Sequence, residues 1–315
     1  MSRKDNSHSQ SMFKMLKLVD PRRFERLSQD PESRILPLDY GSSIYLGKSL
    51  TNRKLKVLVL SLFRENEFKD ANKILVMKQV LITGTSRGLG LEFTNQYLRE
   101  GTRVFACSRK PDRAQELQDL KKIYEDNLYL IELDVTSPDS RKSSFEEVSE
   151  ITNSIDILIN NAGIRFGGDE KYNDELGKLE KEDFSRIFQV NTIAPLMIVE
   201  KYLPLLKEAG ESKIINISSN SGCIARRTSK SGGYSYAASK AALNMITKAL
   251  SVDLLEHNII VISLHPGWVK TTMELTVNAP LVPEESVGGM ISIIKKLELK
   301  DTGKFLDWQG NEMPW

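Results

Sequence analysis

Gln79-Val-Leu-Ile-Thr83, followed at once by Gly84-Thr-Ser-Arg-Gly-Leu-Gly90, is the stretch whose reading decides the fold. The first five residues form a short apolar run, which reads as a buried strand. The next stretch, 88–100, reads as a helix with Leu89, Phe93, Tyr97 and Leu98 on its apolar side. Glycines between a strand and a helix let the backbone turn tightly and approach a pyrophosphate. The helix N-terminus offers free N–H groups and a partial positive charge to the same group. A glycine trio alone also fits a tight turn that needs small residues for packing; its position here favours a dinucleotide. The spacing Gly-x-x-x-Gly-x-Gly differs from the Gly-x-Gly-x-x-Gly fingerprint.

Outward from this turn, strands and helices alternate. Apolar runs at 103–107, 128–133, 155–159, 213–217, 259–264 and 303–306 read as strands. Amphipathic stretches at 112–124, 138–153, 181–207, 235–256 and 284–297 read as helices. Strand runs that are apolar on both faces imply a parallel sheet covered on both sides. The expectation is an α/β chain, a Rossmann-type doubly wound parallel sheet forming one domain over 76–315. Its ligands would bind at the carboxyl ends of the strands.

Residues 1–75 do not share this pattern. They carry 15 Lys/Arg against 9 Asp/Glu and are broken by Pro21, Pro31 and Pro37. The run Leu55-Lys-Val-Leu-Val-Leu-Ser-Leu-Phe63 reads as a short strand or a helix; the rest is expected to be loosely ordered or disordered. The whole chain has 315 residues, 40% of them hydrophobic and 27% charged, and a net charge of +2. That balance asks for no nucleic acid. No apolar run is long enough to span a membrane. Cys107 and Cys223 form neither a CxxC nor a metal-ligand spacing, so no metal is expected and a reducing, cytoplasmic setting is the default. The first 28 residues hold seven Lys/Arg and three Asp/Glu. That leaves a mitochondrial leader as a weaker alternative.

The end of the second strand selects the nucleotide. An acid there would bond the adenosine ribose hydroxyls; an arginine accommodates a 2′-phosphate. The run Val104-Phe-Ala-Cys-Ser-Arg-Lys110 has no acid, and Arg109 is suitably placed. Arg87 adds a second cation in the glycine turn. Arginine binds phosphate well because its planar fork donates twice. NADP(H) is therefore expected over NAD(H), although either arginine alone would also fit a solvated surface.

The catalytic candidates lie further on. Tyr236-Ala-Ala-Ser-Lys240 places a phenol and an ammonium at i and i+4 of one helix, on one face. A nearby cation favours the phenolate and lowers the pKa of a tyrosine, which otherwise ionises near pH 10. Such tuning is what a proton donor to a carbonyl oxygen needs. A Tyr and Lys so spaced are more often an ordinary solvated pair. Ser218 and Ser219, at the end of the 213–217 strand, each offer a second hydrogen bond. Asn191 sits inside a helical pattern that asparagine does not favour.

The Tyr-x-x-x-Lys pair with a preceding Ser and the Gly84–Gly90 turn resemble the short-chain dehydrogenase/reductase family. The likeness covers 78–315 and is nearest the sniffer-type carbonyl reductases and C-signal-like reductases. It is carried by Tyr-x-Tyr at 234–236, by Ser263-Leu-His-Pro-Gly-Trp-Val-Lys-Thr-Thr-Met273 and by the 303–315 ending. The resemblance implies a catalytic set of Asn191, Ser219, Tyr236 and Lys240. Ser219 is preferred to Ser218 because it aligns with a Ser-x-x-Gly ending at Gly222. It implies cofactor contacts from Gly84, Ser86, Arg87, Gly88, Leu89 and Gly90, and from Arg109. Asp134 and Val135 would meet the adenine; Asn161, Ala162 and Gly163 would lie against the cofactor. Tyr236 and Lys240 would join them, with Pro266, Gly267, Val269 and Thr271 near the nicotinamide carboxamide. Asn191 would hold a water linking Lys240 to solvent. The implied reaction is NADPH-dependent reduction of a small-molecule ketone, aldehyde or quinone, with Tyr236 as proton donor, Ser219 bonding the developing alkoxide and Lys240 holding the ribose. His265, followed by Pro266, is expected to be structural. Pairing of two copies through the helices near 181–207 and 236–256 is also implied. A dinucleotide-binding sensor with incidental catalysis, and an oxidative alcohol dehydrogenase using the same residues, are the competing readings. The sequence does not name the substrate.

Overall fold

The computed structural model describes residues 35–38, 42–45, 77–165, 174–228, 233–271 and 279–315. The chain divides into two units, Met1–Val76 and Met77–Trp315. In the first, β1 (Ile35–Leu38) pairs antiparallel with β2 (Ser42–Tyr45). The apolar run at 55–63 and the expected disorder of most of 1–75 lie outside the described residues.

In the second unit seven strands form one parallel sheet. They are β3 (Gln79–Thr83), β4 (Arg103–Ser108), β5 (Leu128–Glu132), β6 (Ile157–Asn160), β7 (Ser212–Ile217), β8 (Ile259–His265) and β9 (Phe305–Asp307). Their spatial order is β5-β4-β3-β6-β7-β8-β9. The helices between them are α1 (Gly88–Arg99), α2 (Gln115–Ile123), α3 (Pro138–Ile151), α4 (Lys181–Phe188), α5 (Ala194–Glu208), α6 (Tyr234–Asp253) and α7 (Pro283–Lys296). This is the doubly wound, Rossmann-type sheet that the alternation implies.

The reason is visible strand by strand. Val80 and Ile82 face one side of β3, where they pack with Phe93 and Tyr97 of α1 and Met290 and Ile294 of α7. Leu81, between them, faces the other side with Val148 of α3 and Ile198 and Tyr202 of α5. Both faces of a central strand are buried, so the run is apolar throughout. Chain order reverses at β3, which has β4 on one side and β6 on the other. Sheets of this kind bind ligands at the carboxyl ends of the strands around such a reversal.

Two local departures from the sequence reading have physical causes. The helix expected at 112–124 starts as a 3-10 turn at Pro111–Arg113, and the chain leaves helical geometry at Ala114 before α2. The helix expected at 181–207 is not continuous α. Gln189–Ile193 form a π turn between α4 and α5. Pro195 has no N–H for the carbonyl four residues back, so α-helical bonding cannot run through Asn191.

Buried polar residues sit where the sheet meets its helices. Lys213 of β7 donates through Nζ to the carbonyls of Ile294 (2.9 Å) and Leu297 (3.1 Å) at the end of α7. A cation there is favoured by the helix dipole. Asn160 of β6 donates to Asn216 Oδ1 of β7 (2.9 Å), and Asn216 Nδ2 donates to Thr247 Oγ1 of α6 (2.9 Å). Ser263 of β8 also donates to Thr247 Oγ1 (3.0 Å). Asn160, Asn216, Thr247 and Ser263 are thus joined in one buried hydrogen-bonded set, which makes the arrangement of α6 on β6, β7 and β8 specific.

Candidate active site

The glycine turn needs glycines for measurable reasons. Gly84 has φ +72°, and a Cβ there would stand 2.8 Å from Ala162 Cα. A Cβ on Gly90 would strike the Gly84 carbonyl oxygen. The turn after β3 and the turn after β6 are thus in backbone contact. Asn161 Nδ2 donates to the carbonyls of Thr83 (2.8 Å) and Gly84 (3.1 Å). In return Thr83 Oγ1 accepts from the N–H groups of Asn161 and Ala162, both at 3.0 Å. Ser86 and Arg87 are exposed at the mouth of this cradle, and Leu89 is half-buried. Gly88 faces Thr271: a Cβ on it would lie 3.7 Å from the threonine side chain. So the 266–271 segment closes over the start of α1. That segment is itself fixed. Pro266 O accepts from Ser286 Oγ at 2.6 Å, Gly267 takes φ +84°, and buried Val269 pairs with Leu281.

Arg109 and Asp134 follow neighbouring strands, β4 and β5. Burial would raise the Asp134 carboxyl pKa. Bonds from Thr136 Oγ1 (2.6 Å) and N (2.9 Å), with the charges of Arg109 and Arg141, outweigh it and hold the group below the usual carboxylate range. Arg109 is exposed beside this anion, and Val135 is half-buried against the core.

At the other end of the site α6 carries the phenol and the ammonium. Tyr236 is half-buried, and Lys240 is 5% exposed. Lys240 Nζ lies 5.8 Å from the Tyr236 ring centroid and donates to Ile217 O at 2.8 Å. Burial pushes the Lys240 pKa down from 10.5 to about 8. Arg165 places a second cation 5.7 Å from the same ring. Gly163 joins the two ends of the site, because a Cβ on it would lie 3.6 Å from Lys240 Nζ and 3.3 Å from Asn191 Oδ1.

The two serines have different surroundings. Ser218 Oγ donates to Asn244 Oδ1 at 2.6 Å, inside the protein. Ser219 Oγ accepts from Ser221 N at 3.1 Å and opens a short 3-10 turn, Asn220–Gly222. Asn191, in the π turn, donates through Nδ2 to Ile164 O (2.7 Å) and Ser239 Oγ (3.1 Å), and accepts through Oδ1 from Ile164 N (2.8 Å). Its side-chain amide therefore fixes the backbone beside Gly163. His265 is half-buried. Burial lowers its pKa to about 4, with Asp307 opposing and Arg226 adding to the effect, so the imidazole is neutral at neutral pH. Among the described residues no group of three His, Cys, Asp or Glu stands together as a metal site. Among them, too, no helix is long and apolar enough to cross a membrane.

The sequence model of the family described as short chain dehydrogenase matches residues 78–281. The chain belongs to this family. Its fold is shared with the NADPH-bound carbonyl reductase from chicken fatty liver, at 39% identity and a TM-score of 0.70, over 76% of this chain and all of that one. The carbonyl reductase Sniffer of D. melanogaster is similar at 34% identity and a TM-score of 0.70, over 76% of this chain and 100% of that one. The C-signal protein of Myxococcus xanthus is 36% identical over 167 residues, which are 52% of this chain and 95% of that one.

Three features of this short-chain dehydrogenase site escaped the sequence reading. Asp174 caps α6: its carboxylate accepts from Ser235 N (2.9 Å) and Ser235 Oγ (2.8 Å). An anion suits a helix N-terminus, but the contact spans 61 positions and leaves no local trace. Ser239 links the π turn to α6, accepting from Asn191 and donating to Tyr236 O at 2.7 Å. The Asn220–Gly222 turn lies so close to α6 that a Cβ on Gly222 would sit 2.7 Å from the backbone carbon of Lys240.

The buried lysine gives a pH signature. Between about pH 8 and the ordinary lysine value of 10.5 the unfolded chain holds a proton that the folded chain has lost. Stability of the cofactor-free protein therefore gains from this group as pH rises through that window. Urea unfolding at a series of pH values is expected to show the gain in the parent and its absence in Lys240→Met. A parallel pH dependence in both proteins would contradict the assignment.

Proposed function

We propose that residues 76–315 form an NADP(H)-dependent carbonyl reductase domain, with 1–75 as a non-homologous extension, acting on a small-molecule ketone, aldehyde or quinone. The observation that carries this reading is Lys240. An ammonium is buried against Ile217 O and beside Gly163, on the same helix face as Tyr236, where the backbone cradle ends.

The residues fit a dinucleotide. Gly84 and Gly90 leave no room for a Cβ, so the turn packs tightly against 161–162, the close approach that a pyrophosphate-binding turn requires. Ser86, Arg87, Gly88, Leu89, Asn161, Ala162 and Gly163 line the cradle, and Pro266, Gly267, Val269 and Thr271 close it. Arg109 and Arg87 supply cations for a 2′-phosphate, in keeping with the NADPH of the chicken reductase. Asp134 and Val135 flank the adenine end. NADPH, when bound, supplies the hydride.

The chain supplies orientation and the proton. Tyr236 donates its phenolic proton to the carbonyl oxygen as negative charge builds there. Ser219, free of the core bond that ties Ser218, donates a hydrogen bond to the same oxygen. Lys240 favours the phenolate left behind. Asn191 holds the Gly163–Ile164 backbone against Lys240. Cytoplasmic action fits the two free, buried cysteines. A homodimer through α4, α5 and α6 fits the exposed apolar side chains of Ile193, Met245 and Val252.

NADPH absorbance, followed with a panel of quinones, diones and aldehydes, tests the proposal. The parent is expected to turn over part of the panel. Tyr236→Phe is expected to lose about 10²–10⁴-fold in rate with NADPH binding kept. Equal rates in both would remove Tyr236 from the mechanism. Binding without turnover by either would favour a dinucleotide sensor. For the phosphate contact, Arg109→Leu is expected to weaken NADPH binding about 10- to 100-fold and to leave NADH binding nearly unchanged, read by cofactor fluorescence titration. An equal effect on both cofactors would contradict the placement.

A further inference from the structure

Residues 313–315 fold back over β9 and reach the segment that follows Ser219. Met313 N donates to Phe305 O at 2.7 Å, and Met313, Phe305 and Cys223 make a small buried apolar cluster. The Trp315 ring stacks on Phe305 with centroids 5.5 Å apart and planes at 25°. From the active-site side, Cys223 Sγ donates to Pro314 O at 2.9 Å, and Ala225 N donates to Trp315 O at 3.2 Å.

The segment they grip is the one that carries Ser219. Its other side is pressed on α6, where Gly222 leaves no room for a Cβ against Lys240. Its far end reaches the tyrosines, since Arg227 lies 6.0 Å from the Tyr234 ring. Ile224, at 75% exposure, projects from the middle of it. Residues 219–227 are thus clamped between the catalytic helix and 313–315, with no regular strand or helix of more than three residues to hold them.

We propose that residues 313–315 are a positioning element of the active site, resting on the reductase reading above. They hold the 223–227 wall, and through it Ser219, at a fixed distance from Tyr236. The effect falls on the carbonyl substrate and not on the cofactor, whose cradle is built from β3, β6 and the 266–271 segment. The grip combines one stacked aromatic pair, two N–H···O bonds and one weaker S–H···O bond.

The full chain with Trp315→Ala, Cys223→Ala and Cys223→Ser tests this. Trp315 is 38% exposed, so its truncation leaves the main core intact. Two readouts are taken: native-state tryptic cleavage after Arg226 and Arg227, and kcat/KM against NADPH binding. Trp315→Ala is expected to speed cleavage and to lower kcat/KM for the carbonyl, each roughly 5- to 30-fold, with NADPH affinity within about 2-fold of the parent. Cys223→Ala is expected to move both readouts the same way, and Cys223→Ser, which keeps a donor, to stay near the parent. Unchanged cleavage in Trp315→Ala, or faster cleavage with unchanged turnover, would overturn the proposal. So would loss of NADPH binding in step with turnover, which marks general unfolding. A parent that binds NADPH but turns over no carbonyl would sink the reductase reading. The cleavage rate alone would then decide whether 313–315 hold the segment.

Discussion

The hydrogen bonds from one stripe of α6 to the ends of the sheet strands are what the site depends on. Lys240, Asn244 and Thr247 fall at i, i+4 and i+7, so they share a face. Lys240 donates to Ile217 O, Asn244 accepts from Ser218, and Thr247 bonds Asn216 and Ser263. These partners are on β7, on the turn that follows it and on β8. An apolar stripe would permit α6 to slide or rotate at small cost, because packing alone tolerates rearrangement. A polar stripe with each member bonded does not, since any shift leaves buried donors and acceptors unsatisfied. Tyr236, one turn before Lys240, is placed by this register.

Three further contacts fix the start of the same helix. Asp174 caps it from a distant loop, Ser239 ties it to the π turn at Asn191, and Gly222 lets the Ser219 turn lie on it without a side chain between. The arrangement carries an electrostatic cost. Lys240 is an ammonium in a dry place, and burial disfavours its charge. Departures from local rules of this kind concentrate at functional sites, and they persist only where the surrounding bonds over-determine them. Here Gly84 at positive φ packs on Ala162, and Gly163, one residue on, meets both the π-turn Asn191 and the buried Lys240.

Much of this was legible in the sequence because it is local. Buried parallel strands are continuous apolar runs, so β3, β4, β7 and β8 were found within a residue or two. The Gly84–Gly90 turn and the Tyr236–Lys240 pair state their geometry in their spacing. Strand ends were less legible: the run 155–159 begins pairing only at Ile157, and the last strand is Phe305–Asp307 rather than 303–306. What the sequence hid is long-range. Asp174 reads as one more loop acid, and nothing nearby signals Ser235 as its partner. Ser218 and Ser219 are chemically identical, and beyond the Ser-x-x-Gly spacing nothing local separates them; Asn244, 26 positions on, binds Ser218 alone. The π turn was half visible, in Asn191 inside a helical pattern with Pro195 four residues later. Lys213 gives no sign in the sequence that its Nζ reaches the Ile294 and Leu297 carbonyls at the end of α7.

The central claim is that the stripe on α6, and not only the identity of Tyr236 and Lys240, sets the reaction. Thr247→Val tests it most directly, because the change is nearly isosteric and lies two turns from Lys240. The measurement is kcat with NADPH and a turned-over carbonyl, beside NADPH affinity and urea stability. The expected result is a fall in kcat of about 10-fold, out of proportion to any change in cofactor affinity, as the register of α6 loosens. Full kcat in a protein that is merely less stable would contradict the claim and reduce the stripe to a packing device.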